Sequence, residues 1–156
     1  MLPAMLHLEN SFFVAQDDAM IVTTDMMATV SLSILGEPIA QPRICFWMLA
    51  GVLHVIPYDP AHTKKFAFQG VVLSALADLG ATAFPLFDSG EKLKVTATFH
   101  VFDTRKDIDN LVKFLLDSLE TIALKNDNMV YWLVGKKICM TKNMEFMKLE
   151  VKSIKG

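Results

Sequence analysis

The sequence predicts an α+β fold, a single domain in which a mixed sheet packs against two main helices. Three observations carry this. Apolar and polar residues alternate for ten positions from Leu93 to Phe102, a helix-period stripe runs from Asp107 to Ala123, and a second alternation spans Glu145 to Ile154. A length of 156 residues suits one core, which at this size hides roughly 70% of the unfolded chain's surface. With 53% hydrophobic and 21% charged residues and a mean hydropathy of +0.37, a disordered or low-complexity chain is excluded.

Residues 1–27 carry no clear period and are set apart as an N-terminal extension from a domain spanning 28–156. From Ala28, Val30, Leu32 and Ile34 alternate with Ser31 and Ser33, a half-buried strand that stops at Gly36-Glu37-Pro38. Arg43 to Met48 and Val52 to Ile56 flank Ala50-Gly51 as the arms of a hairpin, and Pro57-Tyr58-Asp59-Pro60 holds the chain extended. Lys64 to Leu79 reads as a helix, because Phe68, Val71, Val72, Ala75, Leu76 and Leu79 recur at three and four residues, with Gly80 as its stop.

In the long strand Leu93, Val95, Ala97, Phe99 and Val101 share one face. The helix over 107–123 contains no Gly or Pro, begins with Asp where the helix dipole favours anions, and aligns Ile108, Leu111, Leu115, Leu119 and Ile122. Asn126-Asp127-Asn128 is a turn and Val130 to Ile138 a strand. In the terminal strand Met147, Leu149 and Val151 alternate with Lys148, Glu150 and Lys152.

Several classes of function are excluded at this level. Cys45 and Cys139 form neither a CxxC motif nor a disulfide framework, which points to a reducing, intracellular setting. No stretch reaches the ~20 apolar residues of a membrane helix, so a soluble chain with no membrane partner is expected. The first basic residue is Arg43, preceded by Glu9, Asp17, Asp18 and Asp25, the reverse of a targeting peptide. His7, His54, His62 and His100 lack zinc-enzyme spacing, and no GxxxxGK[ST] loop is present, so no nucleotide cofactor is expected. The ten Met residues suit the core and a dimer interface.

The segment richest in chemistry is Lys106-Asp107-Ile108-Asp109-Asn110-Leu111-Val112-Lys113, followed by Asp117 and Asp127. Carboxylates at i and i+2 where a strand hands over to a helix can converge on a hard cation such as Mg²⁺. Such an ion acidifies a bound water and, with a second ion, stabilises both oxygens of an in-line displacement at phosphorus. Lys113 lies one turn beyond Asp109, where its ammonium would meet developing negative charge. The plainer reading is a helix cap followed by an Asp109–Lys113 pair worth ~0.3–0.5 kcal/mol.

The run KDIDNLVKFLLDSLE, then NDNMV and a strand carrying Lys136-Lys137, resembles the RusA family of Holliday-junction resolvases. That family's pattern is a DxDN, a Lys four residues after the second Asp, a following Asp-x-Leu and an acidic pair before a Val. Gly36-Glu37-Pro38 through Gln41-Pro42-Arg43, and Tyr58-Asp59-Pro60 with Lys64-Lys65, resemble its upstream segments, so that the resemblance spans about Val30 to Ile154. It implies a RusA-like fold and a Mg²⁺-dependent endodeoxyribonuclease, with Mn²⁺ as a substitute, acting as a homodimer that resolves four-way junctions by paired nicks. It further implies metal-binding acids at Asp107, Asp109 and Asp127, a catalytic cation at Lys113, and Lys106 beside the scissile strand. Asp117 also matches the pattern, although it equally suits a pair with Lys113. Where the family has two adjacent acids this chain has Asn126-Asp127, which leaves a catalytically weakened junction-binding protein as the alternative.

A straight helix over residues 109–124 would hold Asp109 and Asp127 on the order of 24 Å apart. Either the helix is shorter or bent and the chain doubles back, or Asp127 completes the site of a symmetry mate. The second is the working expectation, since two symmetric cuts suit a C2 dimer. Lys136, Lys137, Arg43, Lys64 and Lys65 are the expected phosphate contacts. Tyr131, Trp132 and Phe46-Trp47 read either as core or as stacking platforms for unpaired bases. The net charge of −2 divides into a balance of −5 over residues 1–42, which hold no Lys or Arg, and +3 over residues 43–156. The nuclease-like portion is therefore mildly basic.

Overall fold

A computed structural model describes residues 12–24, 27–41, 46–55, 60–88 and 90–154. In them the chain runs through β1 (Phe13–Val14), a 3-10 turn at Gln16–Asp18, β2 (Met20–Thr24), β3 (Met27–Leu35), β4 (Phe46–Leu49) and β5 (Val52–Val55). Then follow α1 (Pro60–Asp78), β6 (Lys92–Val101), α2 (Ile108–Leu119), a 3-10 turn at Asp127–Met129, β7 (Val130–Cys139) and β8 (Phe146–Ile154). The α+β class and the mixed sheet with two helices are as the sequence predicts.

The main sheet runs β1-β3-β8-β6-β7, with β2 also paired to β3. Its strands are antiparallel except β6 and β7, which run parallel from Leu93↔Val130 to Val101↔Cys139. Parallel neighbours need a crossover, and α2 supplies it. The alternation in β6 is realised in full: Leu93, Val95, Ala97, Phe99 and Val101 are all buried. They meet Leu111, Phe114, Leu115 and Leu119 of α2 and Phe68, Val72 and Leu76 of α1 in one core. Gln69 Nε2 donates to the Ser118 carbonyl at 3.1 Å, tying α1 to α2.

Much of the segment set apart as an extension is built into the sheet. β2 pairs with β3 from Met20↔Ser31 to Thr24↔Met27, β1 pairs with the other end of β3, and Phe12 lies in the core. The hairpin turns at Ala50 (φ 50°) and Gly51 (φ 77°), the pair of positive φ angles that a two-residue type I′ turn requires. Its partners run Phe46↔Val55 to Leu49↔Val52.

Two boundaries differ from expectation. Pro60 opens α1 instead of holding the chain extended, because the first helical position needs no amide donor. α2 ends at Leu119, short of Ala123. Thr121 adopts φ 70°, and the Ile122 and Ala123 carbonyls accept from the Leu86 and Phe87 amides at 3.0 Å each. Ile122, Ala123 and Leu124 are still buried, so the apolar stripe continues past the helix end.

Phe68 is fully buried and meets the Phe12 ring edge-on at 5.3 Å and the Phe114 ring at 5.8 Å, joining the N-terminal segment to both helices. Phe68→Ala is expected to destabilise the fold by about 3–5 kcal/mol. The urea midpoint should fall at unchanged m-value. On the sheet face away from the helices, His100 stacks on Phe146 at 3.9 Å, and among the described residues neither ring nitrogen has a hydrogen-bond partner. Burial, with the Lys148 ammonium, holds its imidazole below the usual 6.5. The unfolded chain therefore takes up a proton that the folded chain resists, so this contribution is present above about pH 6.5 and is lost as the pH falls below it. His100→Phe keeps a stacked ring and should flatten the drop in urea midpoint between neutral and mildly acidic pH.

Candidate active site

The loop between β6 and α2 carries the paired acids, and lysines fix it from two sides. Lys137, on β7, donates to the Thr104 carbonyl at 3.0 Å and the Lys106 carbonyl at 2.8 Å. The Lys106 ammonium reaches the other way, to the Glu37 carboxylate and to the Pro38 carbonyl at 2.7 Å. Asp103 binds Arg105 through both carboxylate oxygens, at 2.9 and 3.1 Å. This pairing holds its pKa at about 2. The Gln41 amide donates to the Asn110 carbonyl at 2.9 Å, so the segment 36–41 is docked on the first turn of α2.

Asp107 is the N-cap residue of α2 and its backbone carbonyl accepts from Leu111, but its side chain makes no capping hydrogen bond. Asp107 thus caps the helix through its backbone alone. Lys113 pairs forward with Asp117 at 3.4 Å, the alternative weighed for Asp117. Exposed pairs of this kind contribute ~0.3–0.5 kcal/mol.

Asp109, Lys113, Asp117 and Asp127 all line one open cavity of about 490 Å³ between α2 and β7, walled by Ile108, Val112, Leu116, Leu133 and Gly135. A Cβ on Gly135 would meet Val112 Cγ2 at 3.0 Å, a tight contact, so strand and helix approach closely at this glycine. The helix is shorter than a rod over 109–124 and the chain does double back, so that Asp109 and Asp127 face one groove. They do not converge. Asp109 and Asp117 stand roughly 12 Å apart along α2, and Asp127 precedes β7 at the end of the sheet remote from the Asp107 loop. Among the described residues no three Asp, Glu, His or Cys side chains gather closely enough to hold a metal ion. The donor type suits a hard cation, and a single chain strings those donors along a groove.

The other expected contacts are dispersed. Lys106 and Lys137 are engaged with the chain's own oxygens, whereas Lys136 is exposed on the opposite face of β7. Lys64 and Lys65 are half-buried near the start of α1, and Arg43 lies outside the described residues. Asn126 is the N-cap of the 3-10 turn and is not part of the cavity lining. Tyr131 and Trp132 are exposed, 66% and 58%, which corrects the core reading of these aromatics; Lys94 lies over the Trp132 ring at 4.7 Å and Lys92 over Tyr131 at 5.1 Å. The side chains of Phe46 and Trp47 lie outside the described residues. Sequence reasoning missed the apolar wall. Its one signal was Gly135 in the middle of a strand, which marks close backbone approach.

A comparison with curated proteins gives no match. Residues 81–151 match the family model described as Endodeoxyribonuclease RusA. The matched run takes in β6, the loop held by Lys106 and Lys137, α2, the Asp127 turn and β7. Over this segment the chain is similar to the RusA endodeoxyribonuclease family.

Proposed function

We propose that this chain is a structure-selective endodeoxyribonuclease that resolves four-way DNA junctions by metal-assisted hydrolysis, acting as a homodimer. The observation that carries the reading is the groove that Asp109, Lys113, Asp117 and Asp127 all line. Mg²⁺, or Mn²⁺ in its place, would supply an activated water and charge neutralisation at phosphorus. Asp107, Asp109 and Asp127 are the residues to hold it. Lys113, already exposed beside the acids, offers its ammonium to the phosphate oxygens. Lys106 and Lys137 act as positioning residues, fixing the loop from which Asp107 and Asp109 project. Lys136 is the lysine on β7 open to a phosphate, and Arg43, Lys64 and Lys65 extend the contact set.

Because the acids of one chain stand at two ends of the groove, the reading that gathers them uses two subunits. Asp127 of the partner subunit then works with Asp107 and Asp109. The neutral Asn126 removes no charge from the cavity wall, which favours a competent nuclease over a silenced junction binder.

Asp109→Asn and Asp127→Asn should each lower nicking of a supercoiled cruciform plasmid by at least ~100-fold while junction binding persists. Junction binding without nicking by the native chain, in both Mg²⁺ and Mn²⁺, would overturn the nuclease reading. Subunit mixing tests the shared site. Asp107→Asn and Asp127→Asn chains, each inactive alone, should recover single-strand nicking when mixed, because one of the two sites in a mixed dimer is then intact. Self-contained sites would leave the mixture inactive.

A further inference from the structure

We propose that the first residues of β7 and the lysines beside them form a platform for unpaired nucleotides of a DNA strand, on the sheet face turned away from the acid groove. A regular strand sends successive side chains to opposite faces, so Tyr131 and Trp132 would ordinarily part. The pairing of β6 with β7 steps from Leu93↔Val130 to Lys94↔Trp132, which leaves Tyr131 as an extra residue. A bulge of this kind re-aims a side chain. Here both rings meet lysines of one face, Lys92 over Tyr131 at 5.1 Å and Lys94 over Trp132 at 4.7 Å. Each aromatic residue is still more than half exposed.

The surroundings carry the matching charge. Lys152 stands in register with Lys94, and farther along the same face Lys136, Thr98 and Lys148 form another row. Unlike Lys106 and Lys137, none of these five lysines is paired with a protein oxygen among the described residues. Glu150 and Asp18, which share this face, lie beyond β6 from the rings. The positive charge is therefore gathered on the side where the rings are.

An unpaired base offers a flat face that stacks on an aromatic ring whatever its sequence, and the phosphates beside it need cations. Two adjacent rings with an ammonium at each supply both. Duplex DNA turns its bases inward and shows this surface only their edges and its backbone. A protein partner would have to bury an ammonium with each ring, which is unfavourable unless a carboxylate meets it. DNA is the polymer because β6, α2 and β7 lie within the segment similar to an endodeoxyribonuclease family. β7 is an outer strand of the sheet, with Leu133 and Gly135 lining the acid groove and Trp132 and Lys136 on its other face. A DNA strand leaving the groove reaches the platform by crossing that edge. This last step rests on the nuclease reading above, whereas the platform itself does not.

The test uses the full chain in EDTA, so that no hydrolysis intervenes, with an oligothymidylate as the probe. The chain holds two tryptophans, and Trp47→Phe leaves Trp132 as the sole one. Its emission should be quenched as the oligonucleotide is added, and a blunt duplex of the same length should compete about tenfold less well. By anisotropy of a labelled oligonucleotide, Trp132→Leu should weaken binding about tenfold or more, whereas Trp132→Phe, which keeps a ring, should retain most of it. Lys92→Gln with Lys94→Gln should lower the slope of log affinity against log salt by about 1.4, the release of two counterions from a single strand. Absence of quenching at low salt overturns the proposal, as does binding that Trp132→Leu leaves intact. Far-UV circular dichroism checks each variant, and where one does not fold the other measurement decides. Cruciform nicking by the native chain without oligothymidylate binding overturns the platform alone, and binding without nicking overturns the nuclease reading alone.

Discussion

Two parallel strands cannot be joined by a turn, and this constraint governs the rest of the molecule. β6 and β7 lie side by side over nine residue pairs, so the chain leaving β6 must travel back along the sheet before β7 can begin. α2 makes that journey with Leu111, Phe114, Leu115, Ser118 and Leu119 buried beneath it. Its outward face therefore bears Asp109, Lys113 and Asp117 in a row one turn apart. The paired acids fall at one end of the sheet and Asp127 at the other. The groove between α2 and β7 is the space left by the crossover, and its walls approach closely at Gly135.

The second constraint is on the loop that starts α2. A loop on a sheet end moves unless its backbone groups are held. Here the holding is done by two lysines whose ammonium groups are spent on oxygen atoms of the protein. Lys106 bridges 68 residues of sequence to reach the Pro38 carbonyl, and Lys137 bridges 31 to reach the Lys106 carbonyl. Charged donors make hydrogen bonds roughly twice as strong as neutral ones. The Gly36-Glu37-Pro38 segment thus takes part in the site without lining it: it fixes the lysine that immediately precedes Asp107.

Legibility in the sequence followed the physics of each feature. Strands that bury one face, such as β3, β6 and β8, declare themselves by alternation, and their inward residues are those expected. The Ala50-Gly51 turn was legible because positive φ selects residue type. The end of α2 was not, since Ile122 and Leu124 are buried whether or not the backbone stays helical, and what stops the helix is the distant segment at Leu86-Phe87. The strands before Met27 were hidden for a related reason: β2 is five residues long and its outward Met20 and Val22 are exposed, so composition gives no alternation. At the site, the residue types were readable but not their commitments. A sequence shows that Lys106 and Lys137 are cations; only the fold shows which oxygens they have taken.

The charge distribution supplies the last step. Four side chains of the groove, three carboxylates and one ammonium, leave it negative, while the open face of the sheet carries Lys92, Lys94, Lys136, Lys148 and Lys152 against Asp18 and Glu150. A phosphodiester approaching the groove of a bare chain meets repulsion, and near the surface two unit charges 4 Å apart interact by about 4 kcal/mol at an effective dielectric of 20. On the proposed reading, a divalent cation held there would offset that net negative charge. Junction binding and hydrolysis would then respond differently to the ion. On that reading, lysines outside the groove would attract the duplex through screened interactions that weaken with salt, whereas phosphate entry among the carboxylates would require the metal first. An overall charge of −2 is compatible with the proposed nuclease, because the acidic excess lies in residues 1–42 and the groove acids would be offset by a cation.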